Sequence, residues 1–289
     1  MTSEIFFQTL INGLFTGGIY ALVSIGLTLI YGVMVIVNFA HGEFLTIGIY
    51  TAFWSVTLLG IDPYLSIPIA IIIAGILGAV IQRGLVQQVL DSHPLHQIVL
   101  LVGVSLLLIG VIQFSFGAEP KAMHVPYETE VIQLFGLRMA IPRLIAFGAS
   151  LFISICLFIF LQYTKIGKAI RAVSQSRQAA SLMGINVNLI YMLTFGIGAA
   201  ITAVAGVLLS PNHRMIPTMG EAYSVIAFLV VVLGTMGNFV GAFIGGLIIG
   251  LVEAYAGFYL GGDVKIIASM LIFIVILLFK PSGLFGRKR

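Results

Sequence analysis

Charge is scarce in this chain. Asp, Glu, Lys and Arg together make up 8% of its 289 residues while hydrophobic residues make up 60%, and soluble domains carry roughly a quarter charged residues. With 14 basic and 10 acidic side chains it cannot cover the outside of a water-soluble domain of this length. The scarcity excludes a soluble fold and leaves lipid as the outer surface. Cysteine is nearly absent as well. The one cysteine, Cys156, has no partner for an internal disulfide, lacks Cys or His neighbours at metal-ligand spacing, and sits in an apolar run that gives it a packing role. The net charge of +4 is scattered between apolar runs rather than gathered on one face, so nucleic acid is excluded as a partner. No phosphate-binding loop is present: Gly167 and Lys168 are followed by Ala169 and lack the upstream glycine. A Gly-x-Ser-x-Gly elbow is missing too, and His93 and His96 around Pro94 read as a solvated turn rather than a metal site. Nothing points to an enzyme, to a metal or to a cofactor bound by the chain itself.

What the chain has in quantity is uncharged sequence. A gap of about 20 residues, at about 1.5 Å each, crosses a hydrocarbon core of roughly 30 Å. Such gaps place candidate spans at about 6 to 30, 42 to 60, 64 to 82, 96 to 116, 143 to 163, 189 to 210, 222 to 240, 241 to 260 and 264 to 280. The stretch from Ile5 to Gly42 carries no charge, and as one straight helix it would be about 57 Å long. It must bend, break or re-enter. The expected fold is therefore all-α: a polytopic membrane helix bundle of about eight (eight to ten) segments, one transmembrane domain over 1–289, with a broken or re-entrant segment near 31–44.

Basic residues near span ends stay on the cytoplasmic side. Lys165, Lys168, Arg171 and Arg177 form one cluster, and Lys280, Arg287, Lys288 and Arg289 form another. An even number of crossings between them puts both inside, with a cytoplasmic loop at about 164–188, a cytoplasmic C-terminus and an extracytoplasmic loop at about 117–142. The N-terminus carries Glu4 and no basic n-region, so the first span is expected to stay in the mature protein. Glycines recur at four-residue spacing, in Gly241 with Gly245, Gly246 with Gly250, and Gly198, Thr202 and Gly206. Close helix packing is their plain reading, and a moving interface is the other.

The segment Tyr31 to Phe44, YGVMVIVNFAHGEF, puts Asn38, His41 and Glu43 within or beside an apolar run. A charge at membrane depth costs several kcal/mol unless it faces protein or water, and irregular backbone there is tolerated only when buried or lining a cavity. Two readings are open: a helix break beside a solute path, or a plain cytoplasmic turn with Glu43 solvated. Glu253 is the second carboxylate at depth and calls for a polar partner in the bundle. Glu221 and Asp263 fall at outer span ends and read as solvated. A faint echo links Tyr31 to Gly48 with Leu233 to Gly250, each with an Asn-Phe pair after a methionine.

In the loop after Tyr163, Arg171, Gln175 and Gln178 lie among Ala169, Ala172, Ala179, Leu182 and Met183 without proline. One short amphipathic helix ended by Gly184 is predicted. Its apolar stripe wants a docking partner, and lying flat on lipid headgroups is the alternative.

The NFAHGEF string, the loop GKAIRAVSQSRQAASLMGIN, the span ITAVAGVL and the closing FKPSGLFG resemble the permease subunits of branched-chain amino acid ABC importers of the LivH type, over essentially the whole chain. The resemblance implies a subunit of the bacterial inner membrane that imports branched-chain or other neutral amino acids, with urea or short amides as the alternative solutes in the same family. It implies a second permease, related or identical, two cytoplasmic ATPases that use ATP and Mg, and an extracytoplasmic solute-binding protein. It makes the helix from about Ala169 to Gly184 a coupling helix, with Arg171, Gln175, Gln178, Ala180, Met183 and Gly184 as its docking positions. Asn38, His41, Glu43 and Glu253 are the candidates for the translocation path. On the residues alone, a gradient-driven secondary transporter with a broken helix stays open beside this reading.

Overall fold

Helices hydrophobic on every side have no water-facing stripe and end up enclosed by other helices or by lipid. The computed structural model, which describes residues 2–134 and 136–286, sorts the chain's apolar helices into both kinds. The basic cluster Arg287, Lys288 and Arg289, and the side chain of Asp263, lie outside the described residues. In chain order the elements are α1 (Thr2–Met34), α2 (His41–Leu59), α3 (Ile67–Ile81, continued through a π-helical turn at Gln82–Val86), α4 (Gln87–Val89), α5 (Pro94–Phe116), the hairpin β1 (Val131–Leu134) and β2 (Leu137–Ala140), α6 (Ile141–Tyr163), α7 (Lys165–Gln175), α8 (Arg177–Leu182), α9 (Val187–Leu209), α10 (Met219–Gly234), α11 (Phe239–Tyr259) and α12 (Lys265–Phe279). Among the described residues, 7 helices are long and apolar enough to cross a membrane, and α10 and α12 are shorter apolar helices. These fall within the eight to ten segments expected, with bounds close to those of the uncharged gaps.

α1 is the axis. Ala21, Leu22, Ile25 and Ile30 are fully buried, because α11, α9, α6 and α10 all pack around it. The expected glycine rows are the contact surfaces: a Cβ at Gly250 would overlap the Gly17 Cα, and one at Gly198 would lie 2.9 Å from the Gly26 carbonyl oxygen. Lipid tails give no hydrophobic drive between helices, so backbones must come close enough for dispersion to hold them. On α9 and α2 the approach is tighter still, since a Cβ at Gly206 would overlap the Leu45 carbonyl.

The bundle has two ends. At the hairpin end, Gln8 at the start of α1 exchanges hydrogen bonds with the Arg138 backbone, at 2.7 and 2.8 Å. The loop before the hairpin is tied down by a backbone bridge between Lys121 and Met215 and by Tyr127, whose hydroxyl donates to Asp62 at 2.6 Å. Burial and the Asp62 carboxylate push that phenol above its ordinary pKa. At the opposite end stand α7 and α8, the Gly32–Gly237 contact, and the tail after α12, where Leu284 N–H donates to the Leu233 carbonyl at 2.8 Å.

Two expectations need correction. Cys156 is exposed on the outer face of α6 rather than packed; an apolar run in a membrane helix does not distinguish the lipid-facing side from the core side. The single helix predicted after Tyr163 is two helices. Ser176 is extended (φ −159°, ψ 111°) and its hydroxyl accepts from the Ala179 N–H at 3.2 Å. Serine as an N-cap outcompetes helix continuation. The first of the two also begins earlier than Ala169, at Lys165, where Thr164 caps it by accepting from Gly167 N–H at 3.0 Å.

Gly206→Ala should lower the melting temperature of the detergent-purified chain, because overpacking typically costs about 1–3 kcal/mol. Gly103→Ala, facing open space, should leave it unchanged. Equal melting of the two variants would show that α2 and α9 do not meet at Gly206.

Candidate functional site

The break between α1 and α2 is built by three local devices. Val35 ends α1 with φ 58°, a left-handed conformation that a β-branched residue adopts only under constraint. Asn38 then folds back on the chain, its side-chain oxygen accepting from the Ala40 N–H at 3.1 Å, the local turn that asparagine makes readily. His41 N–H donates to the Asn38 carbonyl at 3.2 Å, and α2 restarts there. His41 sits beside Val23, about three turns before the end of α1. The chain therefore climbs back along α1 as non-helical backbone before it becomes helical again, and α2 begins inside the bundle.

This return brings Asn38, His41 and Glu43 into the interior, with exposures of 2%, 0% and 0%. The His41 Nε2 lies 3.0 Å from the Val23 carbonyl and 2.8 Å from the Thr202 hydroxyl. A carbonyl can only accept, so the network assigns the proton to Nε2, and Thr202 passes its own proton to the Gly198 carbonyl at 2.9 Å. Glu43 Oε1 accepts from Ser105 at 3.1 Å. Gly42 N–H donates to Ser224 Oγ at 2.7 Å. Among the described residues, Asn38 Nδ2, His41 Nδ1, Glu43 Oε2 and Thr46 Oγ1 have no hydrogen-bond partner. Unpaired buried polar atoms are costly unless water or a ligand completes them. A plain solvated turn with Glu43 in water is not what forms here. Ser105, Thr202 and Ser224 complete the cluster from α5, α9 and α10; the sequence singled out Thr202 only as a packing residue and the two serines not at all, since a lone hydroxyl in an apolar helix looks the same in either role.

Glu253 does not join this cluster. It is buried on α11 and accepts from Tyr20 at 2.6 Å and Ser269 at 3.3 Å, the polar partners it called for. Glu221 is exposed at the start of α10, as expected.

The faint echo along the sequence has a backbone counterpart. Thr235 follows α10 with φ 80°, as Val35 follows α1, and Asn238 caps α11 by accepting from Gly241 N–H at 3.0 Å.

At the other candidate region, Arg171, Gln175, Gln178 and Gly184 are exposed, and Leu182 and Met183 are 89% and 83% exposed. Ala180 is different: at 3% exposure it packs into the chain's own core beside Ile170 and Val173, so it roots the prong and offers no surface to a partner. Arg177 pairs with Asp91 at 2.5 Å, and that carboxylate pushes the guanidinium above its ordinary pKa. Gly184 ends the region at φ 82°, where a side chain would be strained.

A family described as the permease component of branched-chain amino acid transport systems matches residues 9–279. The high-affinity branched-chain amino acid transport system permease protein BraD of Pseudomonas aeruginosa is 32% identical over 98% of this chain and 96% of its own. The permease proteins LivH of Salmonella typhimurium and Escherichia coli K12 are 35% and 34% identical over the same shares. Among solved structures, PsaBC from Streptococcus pneumoniae in complex with Fab covers 99% of this chain and 98% of its own at a TM-score of 0.54 and 14% identity, a likeness of fold. The gradient-driven alternative gives way to a permease that works within a larger system. Similarity sustained across nearly the whole length, on a bundle of this kind, makes the chain a multi-pass membrane protein and a non-catalytic member of the branched-chain amino acid transport system permease family.

Proposed function

We propose that the chain forms half of the translocation path of an ATP-driven importer for branched-chain or other neutral amino acids. It works beside a second permease, receives solute from an extracytoplasmic binding protein, and is moved by two cytoplasmic ATPases that hold the ATP and Mg. The observation that carries this reading is the prong made by α7 and α8: its root, Ile170, Val173 and Ala180, is buried in the core, while its tip, Leu182 and Met183, is bare. Exposed large apolar side chains beside a basic, water-facing surface mark a protein contact. The basic residues of this end support a cytoplasmic side for it and for the C-terminus, with the hairpin end outside.

The mechanism follows from how the prong is rooted. α7 packs on α1, α6 and α9, so a push at Leu182 and Met183 reaches the helices that enclose the break. Packed cores switch between discrete arrangements rather than deforming smoothly. The break at 35–40 is where such a switch costs least helical hydrogen bonding, and the unpartnered atoms of Asn38, His41 and Glu43 are available to a passing polar solute. ATP-driven closure of the ATPases would thus open the path to one side at a time.

Arg171→Glu combined with Met183→Asp should abolish binding-protein-dependent uptake in proteoliposomes and strip the ATPases from the purified complex, with membrane insertion intact; normal uptake by this double variant would refute the coupling role. His41→Ala should leave the complex assembled and lower uptake about tenfold, the loss of about 1.4 kcal/mol that one charge-neutral hydrogen-bonded group contributes. Unchanged uptake kinetics would remove His41 from the path.

A further inference from the structure

A cavity lies away from the break. It opens near the hairpin end between α1, α10, α11 and α12 and encloses about 620 Å3, within the roughly 300–1,000 Å3 of small-molecule sites. Along α1 its wall is a stripe of Thr9, Asn12, Thr16 and Tyr20, one residue per turn. Glu253 faces them from α11, and the exposed Arg143 and Lys265 stand on the same wall at the first turns of α6 and α12.

We propose that this cavity is a transient binding site for a zwitterionic α-amino acid, with Glu253 taking the ammonium and Arg143 or Lys265 the carboxylate; it rests on the solute class proposed above and gives that solute a place in the chain. The chemistry is specific. Glu253 is 7% exposed, and its two oxygens each accept one hydroxyl, from Tyr20 and from Ser269. A carboxylate offers about four lone-pair positions, so acceptor capacity is left over on the side of the cavity. Among the described residues no basic side chain stands within ion-pair distance of it. Lys265 stands on the cavity wall beyond ion-pair reach of Glu253, so the buried carboxylate has no paired cation, which is costly inside a membrane bundle, and a mobile ammonium entering the cavity supplies one. Phe15, Ile19, Leu208 and Ile226 form an apolar stretch of the same wall, suited to an aliphatic side chain. A cation, an anion and an aliphatic surface around one space match the three parts of a branched amino acid, and an uncharged amide would use none of the charges.

The test uses the assembled transporter in nanodiscs of phosphatidylglycerol, with Cys156→Ser and Thr16→Cys leaving one thiol in the cavity wall. L-leucine at about four times its dissociation constant should slow maleimide labelling about fivefold by occupancy. Isocaproate, which lacks the ammonium, and isopentylamine, which lacks the carboxylate, should give no protection at the same concentration. Glu253→Gln removes the charge, keeps one of the two hydroxyls as a donor to its oxygen and reverses the other to accept from its amide N–H, and should remove the protection; Lys265→Gln, at an exposed position, should weaken it even if the first variant assembles poorly. Labelling that leucine does not slow, protection that survives Glu253→Gln, or protection given instead by phosphatidylethanolamine without leucine would each overturn the proposal. ATP-driven leucine uptake, measured on the same preparation with the binding protein, separates the two levels. Uptake without protection sinks the cavity site alone, and no leucine uptake by the unaltered complex sinks the solute class.

Discussion

Inside a bilayer a backbone amide has no water to turn to. A chain that interrupts its helix there must find every hydrogen bond within the protein. The return from Val35 to Ala40 meets this condition in part, with its own side chains and with its neighbours: Asn38 satisfies the Ala40 amide and Ser224 the Gly42 amide. The remainder of the bundle is arranged so that this can happen. α9 and α10 must come close enough to reach the break, which requires Gly206 against Leu45 and Gly220 against Gly42. Small residues are thus the condition for a polar interior, and the polar interior is what makes the bundle more than a membrane anchor.

Much of this was legible because charge is so expensive in lipid. The uncharged gaps outline the spans, and the excess length from Ile5 to Gly42 forces an interruption before any coordinate is known. The same physics sends Asn38, His41, Glu43 and Glu253 inward. What stayed hidden depended on which side of a helix faces which neighbour. Cys156 lies on the lipid side of α6 and Ser154, two residues earlier on the opposite face, is buried, yet both stand in equally apolar sequence. Ala180 looks like part of an exposed stripe and is a core residue. Ser105 and Ser224 carry no mark that separates a hydroxyl lining a polar cluster from one that bonds its own helix. The interruption at Ser176 was hidden for another reason: alanine-rich sequence favours helix on both sides, and one capping hydroxyl tips the balance between one helix and two.

Two polar foci therefore share the bundle, one at the start of α2 and one around Glu253. They lean on α1 within about one turn of each other, through Val23 and Tyr20. One buried helix thus serves both, and whatever shifts α1 shifts them together. The prong reaches the same helix through α7. Connection through a single central element is simpler than a chain of separate contacts, and it gives a push at one end of the molecule a mechanical route to both.

The two left-handed residues draw out a last point. Val35 and Thr235 close two helices at the same end, and the segments that follow them touch where Gly32 meets Gly237. Neither left-handed residue is itself a glycine, so each is held by its surroundings, and the Gly32–Gly237 contact links the two turns. An inserted or deleted residue in one turn would throw the second out of phase as well, which ties the spacing of two stretches some 200 positions apart in the chain to a single shared fit.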